Sequence, residues 1–95
     1  MQRDLLYFDG CPHVTAAKAH LREALDSLGL TDSWREWGLT NAETPDHLRG
    51  YPSPSILING VDIEGGQPQV GATCAAGGAP PVESIVRALS EVRRL

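Results

Sequence analysis

Cys11 falls where an apolar run ends and an amphipathic one begins. Arg3-Asp4-Leu5-Leu6-Tyr7-Phe8 is followed by Asp9-Gly10 and then by Cys11-Pro12-His13-Val14. The first turn of a helix carries unpaired backbone N–H groups and the positive end of the peptide dipoles, and both favour an ionised thiol. The thiolate is the nucleophilic form of cysteine, and such a position lowers its pKa from an ordinary value of about 8.5. An isolated cysteine more often serves as a small buried apolar group. Here Pro12, suited to the first helical position, and the polar Asp9-Gly10 turn point away from burial. The only other cysteine is Cys74, in Gly71-Ala72-Thr73-Cys74-Ala75. It reads equally well as an incidental loop residue or as a partner for Cys11.

The three histidines do not add up to a metal site. His13 and His20 are seven residues apart on one helix, about 10 Å along its axis, too far to share an ion. Cys11, His13, His47 and Cys74 show no zinc-type spacing, so neither a metal nor a cofactor is expected. His20 and His47 read as surface residues, and Trp34 and Trp37 as packing residues on opposite faces of one strand.

These residues must be positioned by a short alternation of strands and helices. Residues 3–8 form an apolar run suited to a central buried strand. From Pro12 to about Gly29, Val14, Ala17, Leu21, Ala24, Leu25 and Leu28 lie on one helical face, with Gly29 as the stop. Residues 32–38 alternate like a strand near an edge. Residues 42–49 read as a short helix, opened at Thr44-Pro45-Asp46 and closed by Gly50. Ser55–Ile58, Asn59-Gly60 and residues 61–63 spell a hairpin, because Asn-Gly accepts the positive φ values of a two-residue turn. Residues 65–79 are glycine-rich and irregular. Pro80-Pro81 then leads into a last helix striped by Val82, Ile85, Val86, Leu89 and Val92, with Arg93 and Arg94 set against its C-terminal dipole. The order is β-α-β-α-β-β-α, an α/β fold whose first two strands are expected to be parallel.

At 95 residues, with a formal net charge of −4 and no basic block, the chain reads as one domain over 1–95 and not as a nucleic-acid binder. No apolar stretch reaches membrane-spanning length, and Met1-Gln2-Arg3-Asp4 lacks the pattern of a secretory signal. A cytoplasmic protein with no membrane partner is expected, and with it two cysteines that rest reduced.

The order of elements and two local motifs resemble the thioredoxin-like superfamily, and glutaredoxins within it. Cys11-Pro12-His13-Val14 is similar to the C-x-x-C redox motif, with Val14 in place of the second cysteine. Ser53-Pro54-Ser55-Ile56-Leu57-Ile58-Asn59-Gly60 resembles the T-V-P-x-x-F-I-N-G segment of glutaredoxins, and Gly65-Gly66 the G-G that follows their hairpin. The resemblance implies a four-stranded mixed sheet flanked by helices, and a cis Ser53–Pro54 bond lying against Cys11. Pro52, in Tyr51-Pro52-Ser53-Pro54, fits that pattern less well. A substrate would then meet Cys11, Pro12, His13, Ser53 and Pro54, with His13, when protonated, acting on the neighbouring thiolate.

In that arrangement the loop after the fourth strand leaves the sheet at the Cys11 end. Either Cys74 or a glutathione-like small thiol is therefore expected to take the part that Val14 cannot in this monothiol motif, resolving a mixed disulfide formed by Cys11 with a small or protein thiol. Lys18 and Arg49 are the only candidates for holding the carboxylates of glutathione. Two other readings stay open. Organomercurial lyases resemble this chain in pairing separated cysteines with an acid, here Cys11, Cys74 and Asp9, although Val14 stands where that family's acid lies. A scaffold of the same fold that only binds a partner is the other.

Overall fold

The computed structural model describes residues 2–51, 53–64 and 79–93. Cys74, Pro52 and the rest of the glycine-rich 65–78 segment lie outside the described residues. The apolar run near the start becomes strand β1, Arg3–Tyr7, and its central position follows from what its two faces bury. Leu5 points into one apolar cluster and Leu6 into another, and both are fully buried. Alternate residues of a strand face opposite sides of a sheet, so a strand apolar at consecutive positions needs cover on both.

Helix α1 spans Val14–Ser27 and buries Ala17, Leu21, Ala24 and Leu25 against the Leu5 face. It stops where the sequence indicates. Gly29 takes φ 68°, the Gly29 N–H donates to the Asp26 carbonyl at 3.1 Å, and the Leu30 N–H donates to that of Leu25 at 2.9 Å. This pair of bonds satisfies carbonyls that the helix end would otherwise leave open. Strand β2, Arg35–Gly38, returns parallel to β1, with Leu5 opposite Glu36. Strand β3, Ser55–Ile58, pairs antiparallel with the other edge of β1, and β4, Val61–Asp62, folds back on β3 through Asn59 and Gly60 at φ 52° and 82°. The sheet order is β2-β1-β3-β4. Helix α2, Val82–Arg93, buries Ile85 and Leu89 in the same cluster as α1. The fold is thus α/β, with a four-stranded mixed sheet and two described helices on one face.

The opposite face departs from expectation. In place of a helix over 42–49 there is one 3-10 turn, Asp46–Leu48. Pro45 is extended, at φ −55° and ψ 144°, and side chains take the backbone groups that a helix would have paired. Arg49 donates to the carbonyls of Thr44 at 3.0 Å and Ala42 at 2.8 Å, while the Asn41 side chain accepts the Glu43 N–H at 2.9 Å. Local side-chain bonds of this kind compete directly with helix formation. Leu39, Leu48 and Tyr51 from this segment, with Phe8 and Trp37, cover Leu6 and Leu57. The strand expected over 32–38 begins only at Arg35, because the Arg3 side chain holds the carbonyls of Thr31 and Ser33 at 3.2 and 2.8 Å.

Asp4 shares the Leu6 face and is 2% exposed. Its carboxylate accepts Trp37 Nε1–H at 2.9 Å, Arg35 Nε–H at 3.0 Å and Gln2 Nε2–H at 3.0 Å. Burial by itself would push the Asp4 carboxyl up. The hydrogen bonds from Trp37, Gln2 and Arg35, with the Arg35 charge, outweigh it and leave the pKa below its ordinary value. A carboxyl whose pKa is lowered by folding stabilises the fold above its unfolded value of about 3.9, and the contribution disappears as pH falls through the folded pKa. Asp4→Asn should therefore cost about 1–3 kcal/mol at pH 7. Urea unfolding should show that deficit shrinking below about pH 4; a deficit independent of pH would contradict the ionised assignment.

Candidate functional site

Beyond Tyr7 the ladder of β1 gives way to individual bonds, and these set the position of Cys11. On one side the Leu39 N–H donates to the Tyr7 carbonyl at 2.7 Å. On the other, the Phe8 N–H donates to Ser53 Oγ at 2.9 Å, so a side chain replaces the next rung between β1 and the approach to β3. Ser53 is fully buried, and its hydroxyl is the acceptor for the half-buried Phe8 N–H. The chain then reverses. The Cys11 N–H donates to the Phe8 carbonyl at 3.2 Å, with Gly10 at φ 84° in the third position of the turn, where glycine is favoured.

Cys11 emerges half-buried from this turn, and its Sγ lies 3.7 Å from the Ser53 carbonyl oxygen. The Ser53–Pro54 bond is cis and Pro54 is buried. Cys11, Ser53 and Pro54 thus come together, although 42 residues separate Cys11 from Ser53. Pro12 and His13 flank the sulfur along the chain, Pro12 exposed and His13 half-buried.

Pro12 does not occupy the first helical position. The Val14 N–H bonds the Cys11 carbonyl at 3.3 Å, so Cys11-Pro12-His13-Val14 is itself a turn, and His13 caps α1 without a side-chain bond. The fixed φ of proline suits a turn's second position as well as a helix's first, and the turn wins because β1 must first reverse direction. Cys11 opens the turn that leads directly into the amino end of α1. Among the described residues no cysteine is a free thiol.

The other sequence candidates separate from this cluster. Lys18 Nζ is 3.3 Å from Glu36 Oε1 and 5.8 Å from the centre of the Tyr7 ring. Arg49 is occupied by the carbonyls of its own loop. Neither is left to hold a carboxylate beside Cys11. Asp9 is exposed two residues before the sulfur. His20 is not a simple surface residue: its Nδ1 lies 2.8 Å from the Pro80 carbonyl, joining α1 to the approach of α2. His47 is exposed. Among the described residues no three His, Cys, Asp or Glu side chains are grouped to hold a metal ion, and no helix is long and apolar enough to cross a membrane.

Sequence reasoning missed two polar features. The Phe8–Ser53 bond gives no signal, since serine before proline suits any loop. Asp4 did give one, an acid inside an otherwise apolar strand. No family model matches the chain, and neither a curated protein nor a solved structure matches it.

Ser53→Ala would leave the Phe8 N–H without its acceptor while removing almost no volume. It should lower unfolding free energy by about 1–3 kcal/mol, measured by urea titration. No loss would show that this bond does not hold the end of β1.

Proposed function

We propose that the chain is a small thioredoxin-like protein of glutaredoxin type, in which Cys11 performs thiol–disulfide exchange and Cys74 resolves the intermediate. The observation that carries the reading is the half-buried Cys11 Sγ, 3.7 Å from the Ser53 carbonyl at the carboxyl end of the central strand. The cis bond at Ser53–Pro54 lies where the resemblance to glutaredoxins puts one. The strand directions are also compatible with that fold, since β1 and β2 run parallel while β3 runs against both β1 and β4.

Two facts favour Cys74 as the resolving group. Cys11 is not a free thiol, and Cys74 is the only other cysteine of the chain. Because β4 runs parallel to β1, the chain also leaves β4 toward the Cys11 end of the sheet. Val14 offers no sulfur within the motif itself.

In the reducing direction the Cys11 thiolate attacks one sulfur of a disulfide RS–SR′. A Cys11–SR bond forms, the S–S bond breaks, and R′S⁻ leaves and takes a proton from solvent. The Cys74 thiolate then attacks the Cys11 sulfur and expels RS⁻, which is protonated in turn. The substrate has gained two electrons, and the Cys11–Cys74 pair has lost them. Two equivalents of a low-molecular-weight thiol return the pair to its reduced form and become a disulfide themselves. The substrate class is a thiol or disulfide, small or protein-borne, in the cytoplasm.

Turnover of hydroxyethyl disulfide with a low-molecular-weight thiol tests the scheme. Cys11→Ser should lower the rate by about 100-fold or more, because a hydroxyl does not ionise near neutral pH. Cys74→Ser should still form the mixed disulfide at Cys11 and accumulate it, as intact mass will show. Wild-type rates in Cys11→Ser would overturn the assignment. Mild oxidation should also give a faster-migrating monomer, absent from either cysteine variant and more stable than the reduced form by about 4 kcal/mol. Intermolecular dimers alone would remove Cys74 from the mechanism. Absence of turnover, with one equivalent of mercuric ion protecting both thiols, would replace exchange by soft-metal binding.

A further inference from the structure

The sheet face away from the two helices has a loop and a single 3-10 turn over it, and that cover leaves a gap. A cavity of about 330 Å³ opens there, lined by Asp4, Arg35, Trp37, Leu48, Tyr51 and Leu57 among others. Gln2 and the hairpin residue Gly60 also border it, which places it toward the end of the sheet opposite Cys11. Its size suits a one-ring ligand, at the lower end of the roughly 300–1,000 Å³ usual for small-molecule sites. Its walls are mainly apolar and aromatic, and Gln2, Asp4, Arg35 and His47 are the polar side chains that line it.

The hydrogen bonds decide which polar group remains for a ligand. Both Asp4 carboxylate oxygens already accept bonds from neighbouring side chains, and the residue is 2% exposed. Asp4 is therefore a poor anchor for a cation. It instead fixes two other groups through the Arg35 Nε–H and the Trp37 Nε1–H. Arg35 meets Asp4 only through Nε, and its side chain is 57% exposed. The bond to Asp4 does not use the two terminal NH₂ groups of this cavity-lining residue, and such groups grip a carboxylate with two parallel bonds. The guanidinium centre is 5.4 Å from that of the Trp37 ring, so cation and aromatic wall adjoin.

We propose that this cavity binds a small aromatic carboxylate. The ring lies against Trp37, Tyr51, Leu48 and Leu57, and the carboxylate sits on the terminal nitrogens of Arg35. The site is separate from Cys11 and does not depend on thiol chemistry there.

Benzoate titrated into the ¹⁵N-labelled protein and followed by NMR tests the proposal. The Trp37 indole N–H and the Gly60 amide should shift saturably, while the amide of Cys11 stays in place. Benzamide, of the same shape without the charge, should bind at least about tenfold more weakly to the unaltered protein. Arg35→Gln should weaken benzoate by a similar factor. Equal binding of benzamide and benzoate, shifts centred away from Trp37 and Gly60, or no saturable shift with benzoate would each overturn it. The benzamide comparison needs no substitution, so it holds even if Arg35→Gln disturbs Asp4 and the fold.

Discussion

Because β1 is hydrogen-bonded along both edges and packed on both faces, the rest of the chain has to be arranged around it. Leu5 requires helices on one side, and α1 and α2 supply Leu21, Leu25, Ile85 and Leu89 there. Leu6 requires cover on the other, supplied by Leu39, Leu48 and Tyr51. β2 pairs with β1 as far as Tyr7 and β3 as far as Leu6, and beyond these partners the chain turns. The tight reversal from Phe8 to Cys11 is the outcome, and it delivers the sulfur to the end of the sheet where β3 begins.

That constraint explains why the site is built mostly from backbone. The Phe8 N–H on Ser53 Oγ ties the last residue leaving β1 to the first residues approaching β3, and the Ser53 carbonyl then faces the Cys11 sulfur. Ser53 is buried and held by this bond, so the geometry around the sulfur is set before any substrate arrives. Such preorganisation on strand ends is more precise than placement on a long loop. At the other end of the same strand, Asp4 does comparable work for Arg35 and Trp37. Both ends of β1 therefore use one buried polar group to orient its neighbours.

Much of the arrangement was legible because it rests on local patterns. The spacing of Ala17, Leu21, Ala24 and Leu25 gave the face of α1, Gly29 its end, and Asn59-Gly60 the hairpin turn. Cys11 and Ser53-Pro54 were legible as neighbours only through resemblance, since nothing local in either segment refers to the other. The helix-like composition of 42–49 does not give a helix because three side chains compete with it: the Asn41 amide, the Thr44 hydroxyl on Gly38 and the Arg49 guanidinium. Each bonds to backbone nearby, and only the folded loop reveals that they act together. Pro12 lies two residues before the first residue of α1, the position that the sequence suggests for it, for a related reason. Its fixed φ suits two adjacent roles, and the reversal of the chain at the end of β1 selects one of them.

The pH dependence of alkylation of Cys11 by iodoacetamide in the fully reduced protein tests the thiolate at the centre of this site most directly. Thiol–disulfide exchange at Cys11 predicts a rate profile with its inflection below about 8.5, the value of an ordinary thiol, and modification of Cys11 ahead of Cys74 near neutral pH. An inflection at or above that value, with Cys11 no faster than a model thiol, would contradict the role assigned to it.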